Sequence, residues 1–206
     1  MQECDQINLP EYCRKPALVL GCGNLLFGDD GFGCALVEYV TSHHRVPDDL
    51  CILDAGTGVR NILFTLCLSP ARPRRLLIVD AIDAGRTPGD WFELDPASIP
   101  PIKLDDFSMH QIPTSNLLRE LQESCGVEVR VLACQTGPLP TEISPGLSQP
   151  LQEALPPAAE WLINKYLAGC HPERGATLDD RAIETRPFAA APINAQATDE
   201  FASCDN

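Results

Sequence analysis

Leu76-Leu77-Ile78-Val79-Asp80-Ala81-Ile82-Asp83-Ala84-Gly85 is the stretch that decides the fold. Four large apolar residues in a row do not alternate with polar ones, so they read as a strand covered on both faces rather than one with a wet side. Further strand-like apolar runs lie at residues 17–21, 51–53, 91–94 and 127–134. Between them, helical spacing is suggested near 31–41, 59–68, 115–125 and 151–167. In the third of these, Leu117, Leu118, Leu121 and Cys125 share one face, with Arg119, Glu120, Gln122 and Glu123 on the other, so the apolar face is expected to pack on a sheet. Pro156-Pro157 is expected to kink or restart the last helix, because proline lacks an N–H and crowds the preceding turn. Strand and helix in alternation predict an α/β fold, a single doubly wound, mostly parallel twisted sheet with helices on both faces. The domain is expected to span residues 17–170, between an N-terminal extension of residues 1–16 and a C-terminal tail of 171–206, both loosely ordered.

The 206 residues suit one domain with a sizeable core. Twenty-nine acidic against fifteen basic residues give a net charge of -14. A nucleic acid or an anionic bilayer meets repulsion from such a surface, so neither is an expected partner. No apolar run approaches the ~18 to 20 residues of a membrane span. The start, with Glu3 and Asp5, does not read as a signal peptide. A cytoplasmic location is therefore expected. The ten cysteines (4, 13, 22, 34, 51, 67, 125, 134, 170 and 204) never form C-x-x-C. Cys22, Cys51, Cys125 and Cys134 lie in or beside apolar patterns, where a reduced thiol acts as a small buried hydrophobe.

In a doubly wound sheet the functional crevice lies beyond the C-terminal ends of the strands. Gly21-Cys22-Gly23-Asn24-Leu25-Leu26-Phe27-Gly28-Asp29-Asp30-Gly31-Phe32-Gly33 follows the first strand, Asp54-Ala55-Gly56-Thr57-Gly58 the second, and Asp80-Ala81-Ile82-Asp83 the third. A later loop carries Ser108-Met109-His110-Gln111. Neighbouring strand tips are ~5 Å apart, so these carboxylates can converge on one cleft with an imidazole in reach.

A dinucleotide site is imitated by the glycine turn and by Asp54, but the pattern needs a third glycine where Leu26 stands. Asp29-Asp30 would also repel a phosphate from the helix start. Taken singly, each carboxylate has an ordinary use: Asp29 or Asp30 as a helix cap, and Asp54 as a brace for the turn leading to Thr57. Taken together, crowded carboxylates raise one another's pKa unless a cation relieves them. Two carboxylates and an imidazole suit nickel or zinc and leave positions open. His43-His44 read as a solvated helix end, His171 falls in the tail, and Trp91 and Trp161 read as core. No G-x-S-x-G is present and no Cys/His pairing is suggested, which argues against serine or cysteine hydrolase chemistry.

The glycine loop 21–33, Asp54-Ala55-Gly56-Thr57, the 78–85 segment with Pro88-Gly89, and His110-Gln111 occur in the order seen in the hydrogenase maturation endopeptidases, which this chain closely resembles from about Leu18 to Leu167. Residues 108–135 look most like the branch serving coenzyme F420-reducing hydrogenases. The resemblance implies a small α/β protease that removes the C-terminal extension of a [NiFe]-hydrogenase large-subunit precursor after nickel has been delivered. It implies Asp30, Asp80 and His110 as metal contacts. Some relatives have glutamate where Asp30 stands, so the shorter side chain requires a closer approach. The nickel is expected to be transient and supplied by the substrate, with no permanent cofactor. An unmetallated precursor would then be rejected by differential affinity. Asp83 and Asp54 are candidates for a catalytic or orienting carboxylate, and Asn24, Thr57 and Gln111 for supporting groups. The competing readings are a non-catalytic nickel-binding assembly chaperone and a nucleotide-binding α/β enzyme.

Overall fold

The computed structural model describes residues 9–96 and 115–167. In chain order the elements are α1 (Glu11–Arg14), β1 (Ala17–Cys22), α2 (Phe32–His43), β2 (Leu50–Gly56), α3 (Val59–Leu68), β3 (Arg75–Ile82), β4 (Trp91–Leu94), α4 (Ser115–Glu123), β5 (Glu128–Gln135) and α5 (Gln149–Trp161). A 3-10 turn at Gly28–Gly31 precedes α2, and a π-helical stretch, Leu162–Leu167, follows α5.

The apolar runs form one five-stranded sheet in the order β2-β1-β3-β5-β4. β1 is parallel to both β2 and β3, β3 is parallel to β5, and β4 is antiparallel to β5. Every residue of β1 is buried, as is the Leu76–Val79 run of β3. Alternation along these strands divides the core in two. Val19, Leu77, Val79, Leu132 and Cys134 pack against Phe32, Leu36 and Val40 of α2 and Leu151, Ala154 and Ala158 of α5. Leu18, Leu20, Leu76, Ile78, Val129 and Val131 pack against Leu63 and Leu66 of α3 and Leu118 and Leu121 of α4. Each fully buried leucine or valine contributes about 1.5–3 kcal/mol by leaving water, so helices on both faces are what a sheet of continuous apolar strands requires. The doubly wound α/β architecture expected from the sequence is the one observed.

The order of strands reverses direction between β1 and β3, because the chain leaves β1 toward β2 and then returns to lay β3 on its other side. Such a switch leaves a crevice at the strands' C-terminal ends. The helix over this point sits unusually close: a side chain at Gly33 of α2 would overlap the backbone of Val79 and Cys22. Glycine is required there by space.

Two expectations need correction. The last helix is continuous through Pro156-Pro157 rather than restarting at them. Both prolines lie on its exposed face, as do Gln152 and Glu153, whose carbonyls lose their partners and can turn to water instead. Residues 9–15, which fall in the extension expected to be loosely ordered, include a turn of helix packed on the core. α1 places Cys13 in the core at 1% exposure, with Leu9 and Tyr12 packed beside it. The stretch was unreadable because a single turn of helix has too few residues to show a period.

Candidate active site

The loop after β1 is folded by its own backbone. Gly23 adopts φ 112°, and a side chain there would collide with the Asp30 carbonyl. That carbonyl accepts the Asn24 N–H at 3.2 Å, and Asn24 Oδ1 accepts the Leu26 N–H at 3.0 Å, closing the turn. Asp29 and Asp30 leave this turn in different surroundings. Asp29 is 5% exposed and accepts three hydrogen bonds: Gly137 N at 3.1 Å, Ser148 N at 2.7 Å and Ser148 Oγ at 3.0 Å. It therefore ties the loop to the segment after β5 and to the start of α5. It does not cap α2, whose N-terminus has no side-chain cap bond, which corrects the capping role expected for Asp29 or Asp30. Asp30 is partly buried and stands close enough to Asp80, across the switch point, for its charge to act on that residue.

Asp80 lies in β3 opposite Ala133 of β5. Among the described residues its side chain accepts a local bond, from the Ala81 N–H to Oδ1 at 2.9 Å. Burial pushes its carboxyl up to about 7; the Ala81 bond opposes the shift and the Asp30 charge adds to it. Asp83, three residues on, is exposed and held below the usual carboxylate range by hydrogen bonds from Gln135 and the Gly85 N–H. The first donates from Nε2 and the second from the backbone, each at 3.1 Å.

Asp54 behaves as the turn brace expected of it: its Oδ1 accepts the Gly56 N–H at 3.0 Å. It also engages the Cys34 thiol, which burial and this carboxylate push up to about 12. Cys34 reaches the Gly23 carbonyl at 3.7 Å, so a neutral thiol bridges the first two loops from beneath. Cys22, beside Asp80, Cys34 and Asp54, is pushed up as well, mainly by burial. All seven described cysteines are free, and these buried ones are protonated core residues rather than nucleophiles.

Of the residues singled out in the sequence, the structure gathers Asp30, Asp80 and Asp54 around the C-terminal ends of β1, β2 and β3. Asn24 lies beneath Asp30, and Asp83 and Thr57 are exposed on neighbouring loops. His110 and Gln111 lie outside the described residues, as does the tail beyond 167. Among the described residues no three Asp, Glu, His or Cys side chains form a group placed to hold a metal ion. Asp30 and Asp80 stand near enough for the charge of one to act on the other.

Sequence reading missed Gln135. It is 3% exposed, at the last position of β5, and its side chain makes four hydrogen bonds. The signal was available: the segment after every apolar run was worth interrogating, and Gln135-Thr136-Gly137 follows one. Trp91 and Trp161 pack on one another, ring centroids 6.0 Å apart, in keeping with their core reading. His43 is exposed, stacks on Tyr39 and bonds its carbonyl at 2.9 Å.

Comparison with known proteins agrees with this arrangement. A family model described as hydrogenase maturation protease matches residues 34–165. A putative hydrogenase maturation protease of Methanocaldococcus jannaschii is 36% identical over 156 residues, 74% of this chain and 97% of that protein. The coenzyme F420 hydrogenase subunit delta of Methanothermobacter thermautotrophicus is 34% identical over 157 residues, 72% of this chain and 92% of that protein. Among solved structures, the hydrogenase maturating endopeptidase HybD of Escherichia coli superposes with a TM-score of 0.58 at 26% identity, covering 74% of this chain and 93% of its own. The endopeptidase HycI of Escherichia coli gives 0.56 at 29% identity, covering 71% and 88%. No helix among the described residues is long and apolar enough to cross a membrane. A glycine-turned acidic crevice on a doubly wound sheet, matched over most of its length by these proteins, makes the chain a hydrolase of the peptidase class and a member of the hydrogenase maturation protease family.

Proposed function

We propose that this endopeptidase removes the C-terminal extension of a [NiFe]-hydrogenase large-subunit precursor after nickel insertion, and that it recognises the nickel carried by that substrate. Asp30, Asp80 and His110 are the residues assigned to grasp it, with no permanently bound cofactor. The observation that carries the reading is the approach of Asp30 to a partly buried Asp80 whose hydrogen bonding among the described residues is to the next residue's N–H. Two carboxylates so placed repel each other, and a cation delivered by the client relieves the repulsion. A precursor without nickel offers no relief, so it is bound less well.

The remaining carboxylates have separate assignments. Asp83 stays ionised, exposed at the rim, where it is suited to orienting a ligand or a water. Asp54 braces the second loop and is the other candidate for that role. Asn24 supports the Asp30 turn, while Thr57 and Gln111 are assigned to positioning the ligands or the peptide. The similarity to the F420 hydrogenase delta subunit favours a client of that hydrogenase class. We place the reaction in the cytoplasm, where the chain's many free thiols persist in reduced form.

The test is incubation with purified nickel-loaded and nickel-free precursor, followed by intact-mass measurement. Loss of a C-terminal peptide from the loaded form alone supports the proposal. An unchanged mass with retained nickel-dependent binding points to an assembly chaperone instead. Affinity for NAD or ATP that survives His110→Ala would favour a nucleotide enzyme.

A further inference from the structure

The end of β5 grips both acidic loops through successive residues. Gln135 Oε1 accepts the Ala84 N–H at 2.7 Å and the Arg86 N–H at 3.0 Å, while its Nε2 donates to Asp83 Oδ1 at 3.1 Å and to the Thr136 carbonyl at 2.8 Å. Its backbone extends the hold: the N–H donates to the Asp90 carbonyl at 2.8 Å, and the carbonyl accepts the Gly89 N–H at 3.0 Å. Thr136 N then donates to the Ile82 carbonyl at 3.0 Å, and Gly137 N to Asp29 Oδ2 at 3.1 Å. Residues 135–137 therefore hold the loop leaving β3 with one end and the loop leaving β1 with the other.

We infer that Gln135 is a positioning residue of this enzyme, fixing the loop that follows Asp80 and, with Gly137, the separation of Asp80 from Asp30. The inference rests on the assignment of those two carboxylates to nickel recognition. The amide is matched to the task atom by atom. An acceptor must face two N–H groups while a donor faces a carboxylate, and among buried side chains of this length only glutamine supplies both. Glutamate at this position would still accept from Ala84 and Arg86 but would set a second negative charge against Asp83. Alanine would release the loop altogether. Side chains that orient metal-contacting groups from behind typically matter ~10- to 100-fold in affinity or rate.

The test uses full-length Gln135→Ala and Gln135→Glu, the latter keeping the volume of the site should the alanine variant fail to fold. Binding to nickel-loaded and to nickel-free precursor is measured separately, alongside single-turnover cleavage and the thermal midpoint. The expected result is a drop of about 10-fold or more in the preference for loaded precursor, with binding of the empty form unchanged. Folded variants that keep the wild-type preference and cleavage rate overturn the positioning role and leave the functional proposal standing. A wild-type enzyme with neither preference nor cleavage overturns the functional proposal, and the role of Gln135 falls with it. A loss of binding to both precursor forms in equal measure also overturns the inference, since it marks general damage rather than lost positioning.

Discussion

Asp29 and Asp80 stand beside neighbouring strands of one crevice, both withdrawn from solvent, yet they are built in opposite ways. Asp29 receives two backbone N–H groups and a hydroxyl from chain segments more than a hundred residues away. Asp80 receives one N–H from its own neighbour and faces the charge of Asp30. A carboxylate surrounded by donors has its hydrogen-bonding capacity met by the fold; a partly buried one with few donors and a like charge nearby is relieved by a proton or a cation. The difference separates a carboxylate built into the fold, Asp29, from one proposed to act on the substrate, Asp80.

The strongest way to break this contrast is to remove the residues proposed to grasp the nickel. Asp30→Ala, Asp80→Ala and His110→Ala are each expected to lower processing by more than about 100-fold, since supporting groups alone are worth ~10- to 100-fold. Circular dichroism should show the fold retained in all three. A variant that cleaves at the wild-type rate by intact-mass assay loses its place in the ligand set.

Asp29→Ala should do the reverse, damaging the fold first. It strands three donors, and bonds to a charged acceptor are worth ~1.5–3 kcal/mol, not additively, so a loss of about 3 kcal/mol is expected in urea unfolding. A loss below about 1 kcal/mol would show that water replaces the carboxylate and that Asp29 is not the anchor.

A finer test follows from the raised carboxyl of Asp80. In the folded protein it takes up its proton at a higher pH than in the unfolded chain, so between the ordinary carboxylate range and about 7 the folded state binds more protons. Stability from this group is thus present at low pH and lost as pH rises through that window. Asp80→Asn is expected to raise the thermal midpoint at pH 8 by a few degrees and to change little at pH 4. The opposite pH trend would mean that Asp80 is satisfied as an anion. The smallest effect belongs to Asp83→Asn: exposed, and with its two bonds available to an asparagine oxygen, it should shift unfolding by no more than about 0.5 kcal/mol. A larger shift would move Asp83 into the structural class with Asp29.

Legibility in the sequence followed the range of the interactions involved. The runs 17–21 and 76–81 show as strands because burial on both faces dictates composition residue by residue. The helix at Val59–Leu68 is likewise a local pattern. Asp54 could be read as a turn brace because its partner, Gly56, is two residues away. The anchoring role of Asp29 is not legible, and capping by Asp29 or Asp30 is the local alternative, because its partners, Gly137 and Ser148, lie beyond any local window. Spacing alone predicts a kink or restart at Pro156-Pro157, because exposure of that face of α5, which lets the helix continue through both prolines, is a property of packing rather than of spacing.

The sequence by itself determined the α/β class and the acidic loops at the strand ends, since periodicity and glycine turns are written in consecutive residues, while the choice of Asp30 and Asp80 within those loops is what the family resemblance implies. Only the tertiary structure decided that Asp29 accepts hydrogen bonds from distant segments while Asp80 lies beside the charge of Asp30, and that Gln135 ties the loops together. Hydrogen-bond satisfaction depends on what the fold brings from elsewhere in the chain, and no run of neighbouring residues records it.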